Sequence, residues 1–139
     1  MFNFLEITST KPKTLGQLGE EKAQEEYKRL GYKIISANEY NKKGKRLGEI
    51  DFIAADKHRI IFVEVKTRTV GVDKFGKGVE SVNIFKQRKI LAAVKMYFLR
   101  NRQYQNLQPQ IDVCIMEYSG LDKSFQPAKI ISNAVEDWN

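Results

Sequence analysis

Apolar residues recur at helical spacing near the start of the chain, at Leu15, Leu18, Ala23, Tyr27 and Leu30. Thr14 is a suitable N-cap and Gly31 a suitable stop, so a helix is predicted from about Leu15 to Leu30. A strand is predicted over Tyr32–Ala37, and two further strand-like runs are Gly48–Ile53 and Ile60–Lys66. The turn-like Ala55-Asp56-Lys57-His58-Arg59 between those two runs predicts an antiparallel hairpin. Residues 68–82 carry Gly71, Gly76 and Gly78 without periodicity and are expected to form a mobile loop, the third strand ending at Lys66-Thr67-Arg68. Phe85, Ile90, Leu91, Val94 and Phe98 then predict a long helix over about Val82–Gln103. Pro109 is expected to precede a fourth strand over Gln110–Glu117. A polar loop over 119–128, a short strand at Lys129–Ile131 and a helical turn over Asn133–Trp138 complete the reading. Residues 1–13 read as an N-terminal arm and 14–139 as one domain. The order α-β-β-β-α-β suits a mixed sheet, with a right-handed crossover through the long helix setting strand 4 parallel to strand 3.

The hairpin strands depart from an ordinary buried pattern. Gly48-Glu49-Ile50-Asp51-Phe52-Ile53 and Ile60-Ile61-Phe62-Val63-Glu64-Val65-Lys66 carry charges where a core strand is apolar. Side chains alternate faces along a strand, so Asp51 shares a face with Glu49, and Glu64 with Lys66. In a suitable register Asp51, Glu64 and Lys66 converge, and two carboxylates with a lysine suit a divalent cation and a scissile phosphate. The same three residues also suit a salt-bridged strand face. Residue types alone leave both readings open.

Composition adds direction. The chain has 139 residues, 24 Lys and Arg against 17 Asp and Glu, and a net charge of +7. That balance favours phosphate-bearing partners. No Asp or Glu occurs from Ser81 to Ile111, where Lys86, Arg88, Lys89, Lys95, Arg100 and Arg102 lie, and Lys42-Lys43-Gly44-Lys45-Arg46 precedes the first motif strand. No run approaches the roughly 18–20 apolar residues that cross a bilayer, and the N-terminus lacks the form of a secretory signal. The single Cys114 excludes an intrachain disulfide and reads as a buried, inert thiol, so a cytoplasmic location is expected. His58 is the only histidine and sits in the hairpin turn, which disfavours zinc chemistry.

The ordered set Leu18-Gly19-Glu20 with Ala23, Gly31-Tyr32, Asn38, Gly48-Glu49-Ile50-Asp51, Phe62-Val63-Glu64-Val65-Lys66-Thr67-Arg68, Phe75-Gly76, Lys86, Asp112-Val113 and Asn133-Ala134 resembles the YraN-type (UPF0102) family. More broadly, Asp51 and Glu64-Val65-Lys66 resemble the PD-(D/E)XK nuclease superfamily, and the chain is similar to archaeal Holliday-junction resolvases. The resemblance implies an α/β, restriction-endonuclease-like fold, helices flanking a mixed sheet. It implies a metal-dependent endonuclease acting on DNA, branched or structured forms included, with Mg2+ or Mn2+ as cofactor.

In that reading Asp51, Glu64 and Lys66 are catalytic. Asp51 and Glu64 are metal ligands joined by the Val65 backbone carbonyl, and Lys66 orients water or stabilises phosphate. Glu20 matches the helical glutamate of the related nucleases and is a further catalytic and metal-ligating candidate. Glu49 is a weaker metal candidate, which an ordinary ion pair would equally explain. Arg68, Lys86, Lys42, Lys43, Lys45 and Arg46 are the nucleic-acid-binding candidates. Resolvases of this kind are dimers, so a homodimer is also expected. One departure stands out: where many family members carry an Arg-aromatic-Asp triplet, this chain has Gln110-Ile111-Asp112, and Asp112 reads as structural. The rival reading is a non-catalytic nucleic-acid-binding or adaptor domain on the same fold.

Overall fold

The computed structural model describes residues 11–37, 50–71 and 84–135, with the side chains of 84–86 left out. Helix α1 spans Leu15–Arg29. Thr14 accepts a hydrogen bond from the N–H of Gln17 at 3.1 Å, and its own N–H donates to Gln17 Oε1 at 2.9 Å, a reciprocal capping box. Gly31 ends the helix at φ +102°, a left-handed conformation that costs a glycine little.

The strands follow as β1 Lys33–Ala37, β2 Phe52–Ala55 and β3 Arg59–Val70; helix α2 spans Ile84–Arg100, and β4 Gln108–Ser119, β5 Ser124–Phe125 and β6 Lys129–Ile131 complete the order. They form one six-stranded sheet ordered β1-β2-β3-β4-β5, with β6 also pairing with β4. All pairings are antiparallel except β3–β4, which run parallel from Arg59↔Gln108 to Val70↔Ser119. This is a mixed α/β sheet flanked by two helices, compatible with the restriction-endonuclease-like core expected. At the hairpin turn, Asp56 accepts the N–H groups of His58 and Arg59, both at 2.8 Å, which holds its carboxyl below the usual range.

The run Ile60-Ile61-Phe62-Val63 is apolar throughout because β3 is buried on both faces. Ile61 and Val63 pack with Phe52, Cys114 and Met116 beneath Ala23 and Tyr27 of α1. Ile60 and Phe62 pack with Ile53 and Ile111 beneath Ile90 and Val94 of α2. Tyr97 and Phe98 meet the ring of Phe62 at 5.7 and 5.8 Å, and Tyr97 stacks on Tyr104 at 6.2 Å, so these aromatics belong to the core.

Several expected boundaries shift. β3 does not end at Lys66-Thr67-Arg68 but continues to Val70, because β4 offers a parallel partner that far. β4 runs from Gln108 to Ser119, so Pro109 lies inside it, in register with Ile60. The supposed loop over 119–128 contains β5. The long helix stops at Arg100, and a 3-10 turn follows at Arg102–Tyr104. Residues 132 and 133 form a turn, Asn133 at φ +54°, no helix is assigned at 134 and 135, and the rest of the expected helical turn lies outside the described residues. Most of the glycine-bearing loop lies outside the described residues.

Candidate active site

Asp51 lies at an irregularity in the β2–β3 ladder. Its N–H donates to Val63 O at 2.9 Å, yet Val63 is also the register partner of Phe52. Two residues of one strand thus oppose one of the other, the arrangement of a β-bulge. The core packing agrees: Ile50 and Ile53 join the same cluster although three positions apart, so the alternation of faces breaks between them. The shift aims the Asp51 carboxylate across the hairpin, where Oδ2 accepts the N–H of Val65 at 2.7 Å. A side-chain oxygen takes the place a backbone carbonyl would hold and fixes Asp51 between Glu64 and Lys66 along the chain.

Glu64 and Asp51 are 5% and 3% exposed. Lys66 Nζ lies 3.7 Å from Glu64 Oε2, and the lysine side chain is only partly exposed. Buried carboxylates require compensating partners, and here a backbone amide and an ammonium contribute. The structure therefore brings Asp51, Glu64, Val65 and Lys66 to one place. Glu20 is half-buried on α1. Its neighbour Gly19 seats that helix on β3: a Cβ there would fall 2.1 Å from Thr67 Oγ1, one residue beyond Lys66.

Among the described residues, no group of three or more His, Cys, Asp or Glu side chains is gathered closely enough to hold a metal ion. The donor chemistry of Asp51 and Glu64 nevertheless fits a hard cation. Magnesium takes oxygen ligands, retains waters, and typically uses one or two carboxylates with substrate phosphates.

Arg68 is engaged from the other side. Its Nε donates to Glu117 Oε2 at 2.9 Å, its Nη2 contacts the same oxygen, and Lys129 Nζ reaches Glu117 Oε1 at 2.9 Å. The two cations hold the Glu117 carboxyl below its usual range, the Lys129 hydrogen bond foremost. Sequence reading missed Glu117 and Lys129; the signal was a carboxylate on the strand face that also carries Val113 and Ile115. Glu49, Lys42, Lys43, Lys45 and Arg46 lie outside the described residues, as does the side chain of Lys86. Glu21 is exposed and bonds Lys13, and His58 is an exposed turn residue.

Asp112 is structural. It is 2% exposed and accepts from Tyr27 OH at 2.7 Å, Gln110 Nε2 at 2.9 Å and Asn133 N–H at 3.1 Å. Burial first, then the Asp112 charge, push the Tyr27 phenol far above its ordinary value. The Gln110 side chain is met by Arg59 Nη1 at 3.4 Å. Cys114 is fully buried, and its thiol is pushed up to about 12 by burial and the nearby Asp112. No helix among the described residues is long and apolar enough to cross a membrane.

Comparison with known sequences shows the family. The model of the uncharacterised protein family UPF0102 matches residues 19–116, a span holding Glu20, Asp51, Glu64, Lys66 and Asp112. A UPF0102 protein of Caldanaerobacter subterraneus is 42% identical over 101 residues, covering 73% of this chain and 77% of its own. One from Caldicellulosiruptor saccharolyticus is 38% identical over 86% of this chain and 95% of its own, and one from Clostridium botulinum 34% identical over 89% and 95%. With the family pattern matched through α1, the charged hairpin and β4, this chain belongs to the uncharacterised protein family UPF0102.

Proposed function

We propose that this protein is a nuclease that hydrolyses phosphodiester bonds in DNA with the help of Mg2+ or Mn2+. The observation that carries the reading is the Asp51 bulge, which holds one buried carboxylate against the Val65 amide, beside the Glu64–Lys66 pair. Asp51 and Glu64, with the Val65 carbonyl and Glu20, are the groups that would hold the cation. A bound divalent cation supplies a more acidic water and neutralises charge on the phosphate. The Lys66 ammonium orients the attacking water or donates to a phosphate oxygen. Arg68, Lys86 and the cluster Lys42, Lys43, Lys45 and Arg46 are the proposed contacts along the nucleic-acid backbone, in keeping with the net charge of +7. Branched or structured DNA is the proposed substrate form, cut by a homodimer. The cytoplasm is the proposed location, a reading supported by the lone, buried Cys114 thiol.

The second reading is a nucleic-acid-binding or adaptor domain without catalysis. It draws on the lack of a three-ligand group among the described residues and on the tying of Arg68 to Glu117.

A labelled panel of linear duplex, single strand, flap and four-way junction, with magnesium or manganese, separates the two. Cutting by the wild type that is lost in Glu64→Ala and Lys66→Ala supports the nuclease. Salt-sensitive binding with identical background in all three proteins overturns it in favour of the binding domain.

A further inference from the structure

Helix α2 has an outer face that neither the fold nor the candidate site uses. Its inner positions Ile90 and Val94 are fully buried, whereas Arg88, Lys89, Ala92, Lys95, Met96, Leu99 and Arg100 are exposed, the spacing of a single helical face. Met96 is 47% exposed and Leu99 72%. Beside Leu99 a groove of about 380 Å³ opens between α2 and the start of β4, lined by Val94, Lys95, Phe98, Leu99, Gln105 and Pro109. Of these only Lys95 is charged. Among the described residues, none of Arg88, Lys89, Lys95 or Arg100 is within ion-pair distance of a carboxylate. The chain has no acidic residue of its own from Ser81 to Ile111 to neutralise them.

We propose that this face of α2 docks an acidic segment of a partner protein, one that sets an apolar side chain into the Leu99–Phe98–Pro109 groove and carboxylates against the flanking cations. Charge complementarity selects an acidic occupant. The groove selects a protein one. A nucleic-acid backbone satisfies the cations but offers no aliphatic side chain to fill a recess between Phe98 and Pro109. A membrane surface takes apolar side chains that protrude into it, whereas this recess receives one from outside. A second copy would set the same unpaired cations against each other. Apolar anchors on an amphipathic helix entering a groove, with charges at the rim, are a recurrent form of peptide recognition. α2 runs back along the sheet from β3 to β4, so Leu99 lies toward the hairpin-turn end, away from Glu64 and Lys66. Occupation of this face and use of the candidate site are therefore compatible, and the inference stands independently of the proposed chemistry.

The test uses a fluorescein-labelled synthetic peptide with leucines along one helical face and glutamates elsewhere. A peptide of identical composition with permuted leucines, phosphatidylglycerol vesicles and a duplex DNA serve as competing probes. Wild type should bind the patterned peptide about tenfold tighter than the permuted one. Leu99→Glu and Lys95→Glu should each weaken it about tenfold, an anchor-sized loss, while Lys28→Glu on α1 leaves it unchanged. Both test positions are exposed, and circular dichroism of each variant confirms folding. Equal affinity for both peptides, or binding indifferent to Leu99→Glu, overturns the proposal. So does Leu99-dependent binding of vesicles, of duplex, or of a second copy by sedimentation, in the absence of peptide binding.

Discussion

Gly19 and Thr67 touch so closely that no side chain fits between them: a Cβ on Gly19 would lie 2.1 Å from Thr67 Oγ1 and 3.0 Å from its Cγ2. The contact joins the helix carrying Glu20 to the strand carrying Glu64 and Lys66. Helical propensity alone favours alanine over glycine by about 1 kcal/mol. Overpacking runs the other way by about 1–3 kcal/mol. We expect Gly19→Ala to lower stability in urea titrations, and Thr67→Ala in the same chain to restore most of it. On the proposed nuclease reading, recovery should extend to cleavage if the seating of α1 is what positions Glu20. Additive losses in the double variant would show that the two residues do not act through this contact.

On the proposed nuclease reading, Asp51 has two separable duties. Asp51→Asn retains an oxygen for the Val65 amide but loses the charge, so the fold should persist while cleavage falls by about 10²-fold or more. Asp51→Ala also leaves the Val65 N–H without that acceptor and should cost a further 1–3 kcal/mol or so of stability. Parallel denaturation and cleavage assays read the two effects apart. Equal cleavage by wild type and Asp51→Asn would remove this residue from the chemistry.

Tyr27, Gln110 and Asn133 all donate to Asp112. Removing the acceptor strands the buried donors of Tyr27 and Gln110 and leaves the N–H of exposed Asn133 to water, whereas removing one donor loses one charge-assisted bond. Asp112→Ala should therefore destabilise by about 2–6 kcal/mol and Tyr27→Phe by roughly 1.5–3 kcal/mol. Chemical denaturation checks the order, which is firmer than either magnitude.

The Glu117 carboxyl is depressed from its ordinary value of 4.5 by Lys129 and Arg68. A depressed carboxyl contributes stability that is present above its unfolded value and lost as pH falls through the folded one. Wild type should lose stability on acidification below about pH 4.5. Glu117→Gln should be less stable than wild type at neutral pH and show a shallower acid limb. Urea midpoints across that range make the comparison.

Cys114 should resist thiol reagents in the native state, because it is fully buried and its thiol is raised to about 12. Reaction with a chromogenic disulfide at mildly alkaline pH should appear only on unfolding. Rapid labelling of the native protein would contradict the packing described.

Local chemistry was legible wherever a residue acts on its neighbours. Thr14, Gly31 and the Asp56 turn marked their boundaries because caps and turns are satisfied within a few residues. The charged hairpin was visible as misplaced acids in apolar strands. The bulge at Asp51 was not legible, since it exists only in relation to Val63. β3 and β4 came out longer than their apolar runs because each extends while the other offers a parallel partner. The Asp112 network spans 85 residues to Tyr27, and no local pattern announces so distant a bond. The bond between Arg68 and Glu117 was hidden likewise, so a residue read as a phosphate contact proved to have an internal partner as well.

The parallel β3–β4 pair has a consequence for biosynthesis. Its partners stand 49 residues apart, as Arg68 and Glu117 do, and the crossover between them must be complete before any rung can close. On the ribosome, β1, β2 and β3 can assemble early, leaving the Ile60–Val63 edge open to the cell until β4 emerges. This nascent intermediate has a ready template for pairing with a wrong strand, and slow or stalled synthesis through α2 is where aggregation should begin.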